Sequence, residues 1–318
     1  MEILTSAPLL EFNSDTLQAV RKEGNLDQPG RIEEAIDILD DWVKKQNHFM
    51  KKDFSRDYLE RTIVSTKGLV ERAKVRLDRY CTYKTLMPNF FNDTDVEYAY
   101  NNLKQFIIHA HLPKMTPDNY RIYLFKFISD NGDSEANYIL FIFQLSDYIK
   151  KNDYCNGFVL ILDYSDVNSI MGFVSKLNIT EFLQTLLILR LDGGISKSSR
   201  YGMRIKGIHF IAPSKMIDAI ISIFKSVLSD KISNRIHVHK TIDSLYEYVP
   251  KEILPAEYGG NERPLATLQG KSIISSKEYQ DFLKEMLQAK TNESCRQTEK
   301  LNEDYIGMPG SFRTLSVD

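Results

Sequence analysis

The stretch between Gly202 and Gly260 limits what this chain can fold into more than any other. Arg204-Ile-Lys-Gly-Ile-His-Phe-Ile211 alternates and then turns fully apolar, as a strand does on entering a sheet covered on both faces. Pro213 then opens a helix, and residues 216–228 carry Met216, Ile217, Ile220, Ile221, Ile223, Phe224, Val227 and Leu228. That face is much wider than one core stripe requires. A strand around His237 and His239, a short helix and a Pro/Gly stop complete the pattern. The surplus apolar width must itself be buried or must cover something.

Upstream, Leu9 to Val20 is weakly amphipathic. The spacing of Ile32, Ala35, Ile36, Leu39, Trp42 and Val43 predicts a helix after Asp27-Gln-Pro-Gly30. Tyr58, Leu59, Ile63 and Val64 mark a short helix, and Leu69, Ala73, Leu77 and Tyr80 a longer one ending before Met87-Pro88. Three such helices suggest a small bundle. After a connector at 89–95, a helix is expected near 96–103, then a strand at Tyr120-Arg-Ile-Tyr-Leu-Phe-Lys-Phe-Ile128 and a turn at Asn131-Gly-Asp133. Ser134 can cap a buried helix whose apolar middle runs from Tyr138 to Leu145.

Gly157-Phe-Val-Leu-Ile-Leu-Asp163 is a continuous apolar run, expected as a central strand. Helices around 169–177 and 180–191, then a polar loop at 192–200, lead to the strand at Arg204. Alternating strands and helices from 120 to 249 give an α/β domain with a largely parallel sheet. Beyond Gly260, Ser275-Ser-Lys-Glu278 reads as a capping box before a helix carrying Tyr279, Phe282, Leu283, Met286 and Leu287. Residues 290–309 are polar and expected to be mobile. The expected organisation is an N-terminal helical unit at 1–94, an α/β unit at 95–262, and a C-terminal helix and tail at 263–318.

Composition excludes several classes of function. With 26% charged and 42% hydrophobic residues the chain reads as an ordinary soluble globular protein. A net charge of -2 argues against a dedicated nucleic-acid binder. The longest apolar runs, such as Ile139-Leu-Phe-Ile-Phe143, fall far short of the ~18 residues that span a bilayer. The N-terminus, with Glu2 and Glu11, lacks the basic region of a signal peptide. Cys81, Cys155 and Cys295 are widely separated and in no metal-like spacing, so free thiols in a reduced, cytosolic setting are expected.

Enzyme motifs fail. Gly270-Lys-Ser272 ends like a P-loop, but Leu265 stands where the first glycine belongs. There is no nucleophile elbow and no dinucleotide fingerprint. His237 and His239 point the same way from a strand, which suits a metal, but a third ligand is missing; structural or basic-patch histidines are the plainer reading. His209 reads as a core histidine, and Asp163 has no nucleophile or base beside it. Neither catalysis nor a cofactor is expected. The sharpest compositional signal is local: between Lys197 and Lys240, nine Lys/Arg face only Asp218 and Asp230, a net of +7. Its plainest reading is a solvated face.

Three segments point further. Lys206-Gly-Ile-His-Phe-Ile, Ser229-Asp-Lys-Ile-Ser-Asn-Arg-Ile-His-Val-His239 and above all Ile253-Leu-Pro-Ala-Glu-Tyr-Gly-Gly260 resemble the CRAL-TRIO lipid-binding family, which includes the cellular retinaldehyde-binding and α-tocopherol transfer proteins. Lys67-Gly-Leu-Val-Glu-Arg-Ala-Lys74 and Asp78-Arg-Tyr-Cys-Thr-Tyr83 are similar to its N-terminal helical module. The segment 310–318 resembles the tail of arthropod members. The resemblance implies that the apolar helix is a gate over a lipid cavity. It also implies that Arg204, Lys206, Lys231 and Arg235 align with basic residues that form a phosphoinositide headgroup cleft. The chain departs from the family where Leu-Arg-Ala-Arg is replaced by Ile63-Val-Ser-Thr66, where Asn-x-Pro becomes Ala212-Pro213-Ser214, and at Asp166 and Ser226.

The expected function is intracellular carriage of one hydrophobic small molecule, a retinoid, carotenoid, tocopherol or phospholipid, by a cytoplasmic monomer that associates peripherally with phosphoinositide-bearing membranes. The candidate cavity wall is Phe158, Leu160 and Leu162 from the central strand, Ile208 and Phe210 from the next, and Met216, Ile220, Ile221, Phe224 and Val227 from the helix. Which face of the strands looks inward is left open. The rival reading is a regulatory adaptor that senses phosphoinositides and carries no cargo.

Overall fold

The computed structural model describes Leu4 and residues 10–86, 96–129, 145–167, 204–212, 217–228, 230–269 and 276–297. Several sequence expectations lie outside them: the helix after Ser134 up to residue 144, the helices at 169–177 and 180–191, the loop at 192–200, Pro213, Met216, the Gly270-Lys-Ser272 segment and the tail.

The described residues begin with four helices, α1 (Thr16–Glu23), α2 (Arg31–Lys45), α3 (Arg56–Ser65) and α4 (Val70–Leu86). Helices α2 to α4 follow the predicted periodicity and bury Ile36, Leu39, Val43, Leu59, Ile63, Ala73 and Leu77 together. Ser55 caps α3 by accepting from the Tyr58 amide. A fifth helix, α5 (Val96–Leu103), leads into the sheet.

Among the described residues the sheet has five strands in chain order: β1 (Ile107–Met115), β2 (Tyr120–Phe127), β3 (Gly157–Asp163), β4 (Ile205–Ile211) and β5 (Ile236–His239). β1 and β2 pair antiparallel, and the other neighbours are parallel, so the sheet is mixed and mostly parallel. β3 occupies the centre, and every one of its residues is buried. β1 is the strand the sequence reading lacked. Its pairing skips between His111 and Met115, where Pro113 offers no amide to a ladder, so it sits at an edge.

The two faces of the sheet bury different things. Tyr123, Phe127, Phe158, Leu160, Leu162, Ile208 and Phe210 share one cluster with the bundle and with α6 (Ile217–Val227). Leu112, Ile122, Leu124, Val159, Ile161 and Ile211 face the other way, against Leu245, Val249, Leu254, Tyr258 and Leu265.

That second face is closed by the Leu-Pro-x-Glu-Tyr-Gly-Gly segment, in which Glu257, Tyr258 and Gly260 each have a task. The Tyr258 hydroxyl donates to Asp163 Oδ2 at 2.6 Å, holding the end of β3. Asp163 Oδ1 accepts from the Ser165 amide, which gives this buried carboxylate a structural role. Glu257 accepts from the Leu265 amide at the start of the next helical turn. A Cβ at Gly260 would stand 2.0 Å from the Leu254 carbonyl oxygen and 2.4 Å from that of Lys251, both rigid backbone atoms. Gly260→Ala is therefore expected to destabilise the protein by roughly 1–3 kcal/mol, read as a lowered urea midpoint. An unchanged midpoint would contradict the close approach.

The C-terminal segment differs from expectation. Ser276, one residue later than the sequence suggested, caps the helix Lys277–Leu287 by accepting from the Tyr279 amide. Residues 290–297, read as mobile, are instead fastened to the bundle. Thr291 pairs with Phe49, and the Asn292 amide donates to the His48 carbonyl at 2.7 Å. Arg296 clasps Asp78 through two hydrogen bonds, at 2.9 and 3.0 Å, and donates to Thr82. The Lys84 ammonium donates to the Met286 carbonyl. These bonds complete buried polar groups of α4 from more than 200 positions away, which is why composition alone misread the segment.

Candidate functional site

The site is built on β3 and β4. Their register sets Leu160 beside Ile208 and Leu162 beside Phe210, so alternation places all of these side chains on one face. Phe158 pairs with Ile205, and one extra residue, Lys206, interrupts the ladder before Val159 meets Gly207. The bulge lets Ile205 and Ile208 point to the same face although they are three residues apart. The five strand residues of the expected wall thus lie together, and Ile220 and Ile221 of α6 bury into the same cluster. Phe224 and Val227 belong to α6, but their side chains, like Met216, lie outside what is described.

Neighbouring strands extend this face with aromatic and imidazole rings. His111 stacks on Tyr123 with centroids 3.8 Å apart and meets Phe158 edge-on. His109 Nδ1 lies 3.0 Å from the Tyr123 hydroxyl. Burial pushes the His109 pKa down to about 4 and that of His111 well below the usual imidazole range, so both rings are neutral at pH 7. With the Tyr123 hydroxyl they are polar points on a largely apolar surface, and their sequence context, in an unrecognised strand, gave no sign of them.

At the N-terminal ends of β3 and β4 the apolar face gives way to cations. Arg204 Nη2 lies 3.2 Å from Glu23 Oε1, and Lys67 Nζ lies 2.7 Å from the same oxygen. The Lys206 ammonium sits 4.7 Å from the centre of the Tyr120 ring. Arg235 donates to the Ile205 carbonyl. Burial lowers the Lys206 pKa, and the charges of Arg204, Lys67 and Arg235 add to that, while Glu23 opposes it. Three of the four predicted basic residues therefore meet. Lys231 is exposed on the short helix Asp230–Ser233 and enters none of the contacts described among them.

Beside Arg204 a crevice opens between the bundle and the sheet, lined by Arg61, Arg76, Lys150, Lys151 and Arg204 against Asp147 and Asp153. Both acids are engaged: Asp153 takes two hydrogen bonds from Arg121, and Asp147 accepts from the Tyr80 hydroxyl. Burial, with Arg204 and Arg72 adding, pushes the Arg76 pKa down to about 9. Phe158 lines this crevice and also belongs to the apolar face. Sequence reasoning missed Lys67, Arg61, Arg76 and Lys150 because they lie on or beside helices remote from the +7 segment. The Ile63-Val-Ser-Thr66 departure removes two arginines, yet Arg61 and Arg76 supply guanidinium groups here, Arg76 donating to Ser65.

The histidines on the opposite side pack against one another and a tyrosine. His209 Nδ1 lies 3.0 Å from His239 Nε2, His237 stacks on His209, and Tyr248 packs against all three rings. Among the described residues, no group of three or more His, Cys, Asp or Glu is arranged to hold a metal ion. Cys81, Cys155 and Cys295 are free thiols. No helix among the described residues is long and apolar enough to cross a membrane.

Residues 112–260 match the family model of the CRAL/TRIO domain. Human Alpha-tocopherol transfer protein-like (Homo sapiens) is 26% identical over 259 residues, covering 80% of this chain and 72% of that protein. Clavesin-2 of Rattus norvegicus is 32% identical over 127 residues, 40% of this chain and 36% of that one. The crystal structure of Sfh5 aligns over 87% of this chain and 99% of that chain with a TM-score of 0.46 at 13% identity.

Proposed function

From a chain that carries a CRAL/TRIO domain, the domain of a lipid-binding and transfer family, over residues 112–260, we propose a carrier of one hydrophobic small molecule that docks on phosphoinositide-bearing membranes through the cationic rim. The supporting observation is the meeting of two surfaces at Phe158: the apolar face of β3 and β4 runs directly into a crevice lined by five Lys/Arg. A membrane headgroup at the rim would bring the apolar face and α6 next to the acyl region. The reading requires no chemical step. Cargo of the retinoid, carotenoid, tocopherol or phospholipid kind fits an apolar surface with few polar points, where shape and one or two hydrogen bonds decide selectivity.

Each basic side chain near an anionic leaflet contributes about 1 kcal/mol. Arg204→Gln with Lys206→Gln is therefore expected to weaken binding to vesicles containing phosphatidylinositol 4,5-bisphosphate roughly thirtyfold. Raising salt should weaken wild-type binding as well, since exposed charges are screened. Equal binding of wild type to neutral and anionic vesicles would overturn the docking reading. Organic extraction of the purified protein tests the other half: a stoichiometric lipid supports the carrier, and a dry protein that still binds those vesicles supports the adaptor.

A further inference from the structure

The cationic rim is not empty in the folded chain. Glu23, the last residue of α1, places one carboxylate oxygen 2.7 Å from the Lys67 ammonium and 3.2 Å from the Arg204 guanidinium, with the Lys206 charge also acting on it. It arrives there from 181 positions before Arg204. The hydrogen bond from Lys67 is the main cause of a carboxyl pKa below its ordinary value, with Lys67, Arg204 and Lys206 charges adding and burial opposing, so the group is ionised at neutral pH.

Helix α1 does not depend on this contact for its position. Thr16 donates to Asn119 at 2.6 Å, and Arg21 binds both Glu60 and the Tyr154 hydroxyl. Val20 and Thr16 are buried. Glu23 is the one acid that touches both Lys67 and Arg204 among the described residues, and its side chain is 38% exposed, so it can swing away without unpacking the helix.

Resting on the reading of the rim as a seat for phosphate-bearing headgroups, we propose that Glu23 is a built-in counter-anion of that seat, which an incoming headgroup displaces when it binds. Lys67, Arg204, Lys206 and Arg235 keep a net positive charge with Glu23 in place, enough to attract an anion. Binding then exchanges one anion for another, and Lys67 and Arg204 turn from the carboxylate to the phosphate. The helical unit thereby weakens headgroup binding by a fixed factor, which favours release from the membrane.

Displacement has a signature that simple repulsion lacks. If Glu23 must vacate the seat, removing its charge benefits every ligand by the same factor, because the cost of vacating is the same. If Glu23 only repels from a distance, the benefit grows with the charge of the ligand. The test is a calorimetric titration of wild type, Glu23→Gln and Glu23→Ala with glycerophosphoinositol, which carries one phosphodiester, and with inositol 1,4,5-trisphosphate. Both variants are expected to bind both probes about fivefold more tightly, the size of one partly exposed ion pair given up. Vesicles with phosphatidylinositol 4,5-bisphosphate, against inorganic phosphate in solution, distinguish a lipid headgroup from a free anion as the source. Unchanged affinities, or a gain many times larger for the trisphosphate, overturn the counter-anion while leaving the headgroup seat intact. No binding of any phosphate probe by wild type or variants overturns both.

Discussion

Arg121→Met is expected to cost the protein about 3–5 kcal/mol of stability, because it breaks a buried ion pair from one side only. The Arg121 side chain is 0% exposed, and Asp153 opposite it only 2%. Its guanidinium makes two bonds to Asp153, at 3.0 and 2.8 Å, and further bonds to the carbonyls of Leu112, Pro113 and Glu11. One side chain thus ties β2 to the end of β1, to the chain before α1 and to the approach to β3. Methionine keeps much of the volume and none of the donors, so the buried Asp153 carboxylate loses its counter-charge and keeps only the Tyr154 amide, while three carbonyl oxygens each lose a donor. Urea unfolding measures the loss, and one below about 1 kcal/mol would show that the pair is not what joins these segments. The double variant Arg121→Met with Asp153→Leu should recover part of it, since removing both charges also removes the desolvation penalty.

Acid should loosen the fold early. Burial, the leading cause in each case, lowers the pKa of His109 to about 4, of His111 well below the ordinary imidazole value and of His209 to about 3, the last with His239 and His237 adding. In the unfolded chain these rings titrate near 6.5, so below that pH the unfolded state binds protons that the folded state refuses. The stability they contribute is complete above about pH 6.5 and is lost progressively as pH falls toward the folded values. Three such rings give a loss of about 4 kcal/mol between pH 7.5 and 5.5. Urea midpoints at the two pH values check this, and His109→Gln should flatten the dependence by about one third. A flat profile would mean that the rings are protonated inside the fold.

The parts of this architecture that were legible from residues alone are those where one physical signal dominates. The run from Gly157 to Asp163 has no polar side chain before its last position, and it is the central strand with the bounds expected. The apolar run expected as a helix is α6 over Ile217–Val227, with Ile217, Ile220 and Ile221 buried. β1 was illegible because His109, His111 and Lys114 give it a polar cast and Pro113 looks like a turn. Both imidazoles are in fact buried and packed against rings of β2, His109 through a hydrogen bond of Nδ1 with Tyr123 and His111 by stacking on it, which no local pattern reveals. Which face of β3 carried the candidate wall was undecidable for a related reason: with both faces buried, alternation carries no label. The cationic rim was half legible. Arg204, Lys206 and Arg235 stood out as a local excess, whereas Arg61 and Arg76 sit on helices and Lys67 in the turn between α3 and α4, where a basic residue reads as ordinary solvated surface.

The clasp between Arg296 and Asp78 also has a consequence in time. The two residues are 218 positions apart. A ribosome adding roughly 5–20 residues per second needs about 10–40 s to travel from one to the other. Throughout that interval the nascent helical bundle holds Asp78 without its guanidinium, and Lys84 without the Met286 carbonyl that later accepts from it. The first helices to leave the tunnel are thus among the last to be finished, and the sheet must assemble beside a bundle whose polar side is still wet. A chain cut short anywhere before residue 296 keeps that bundle in its unfinished form.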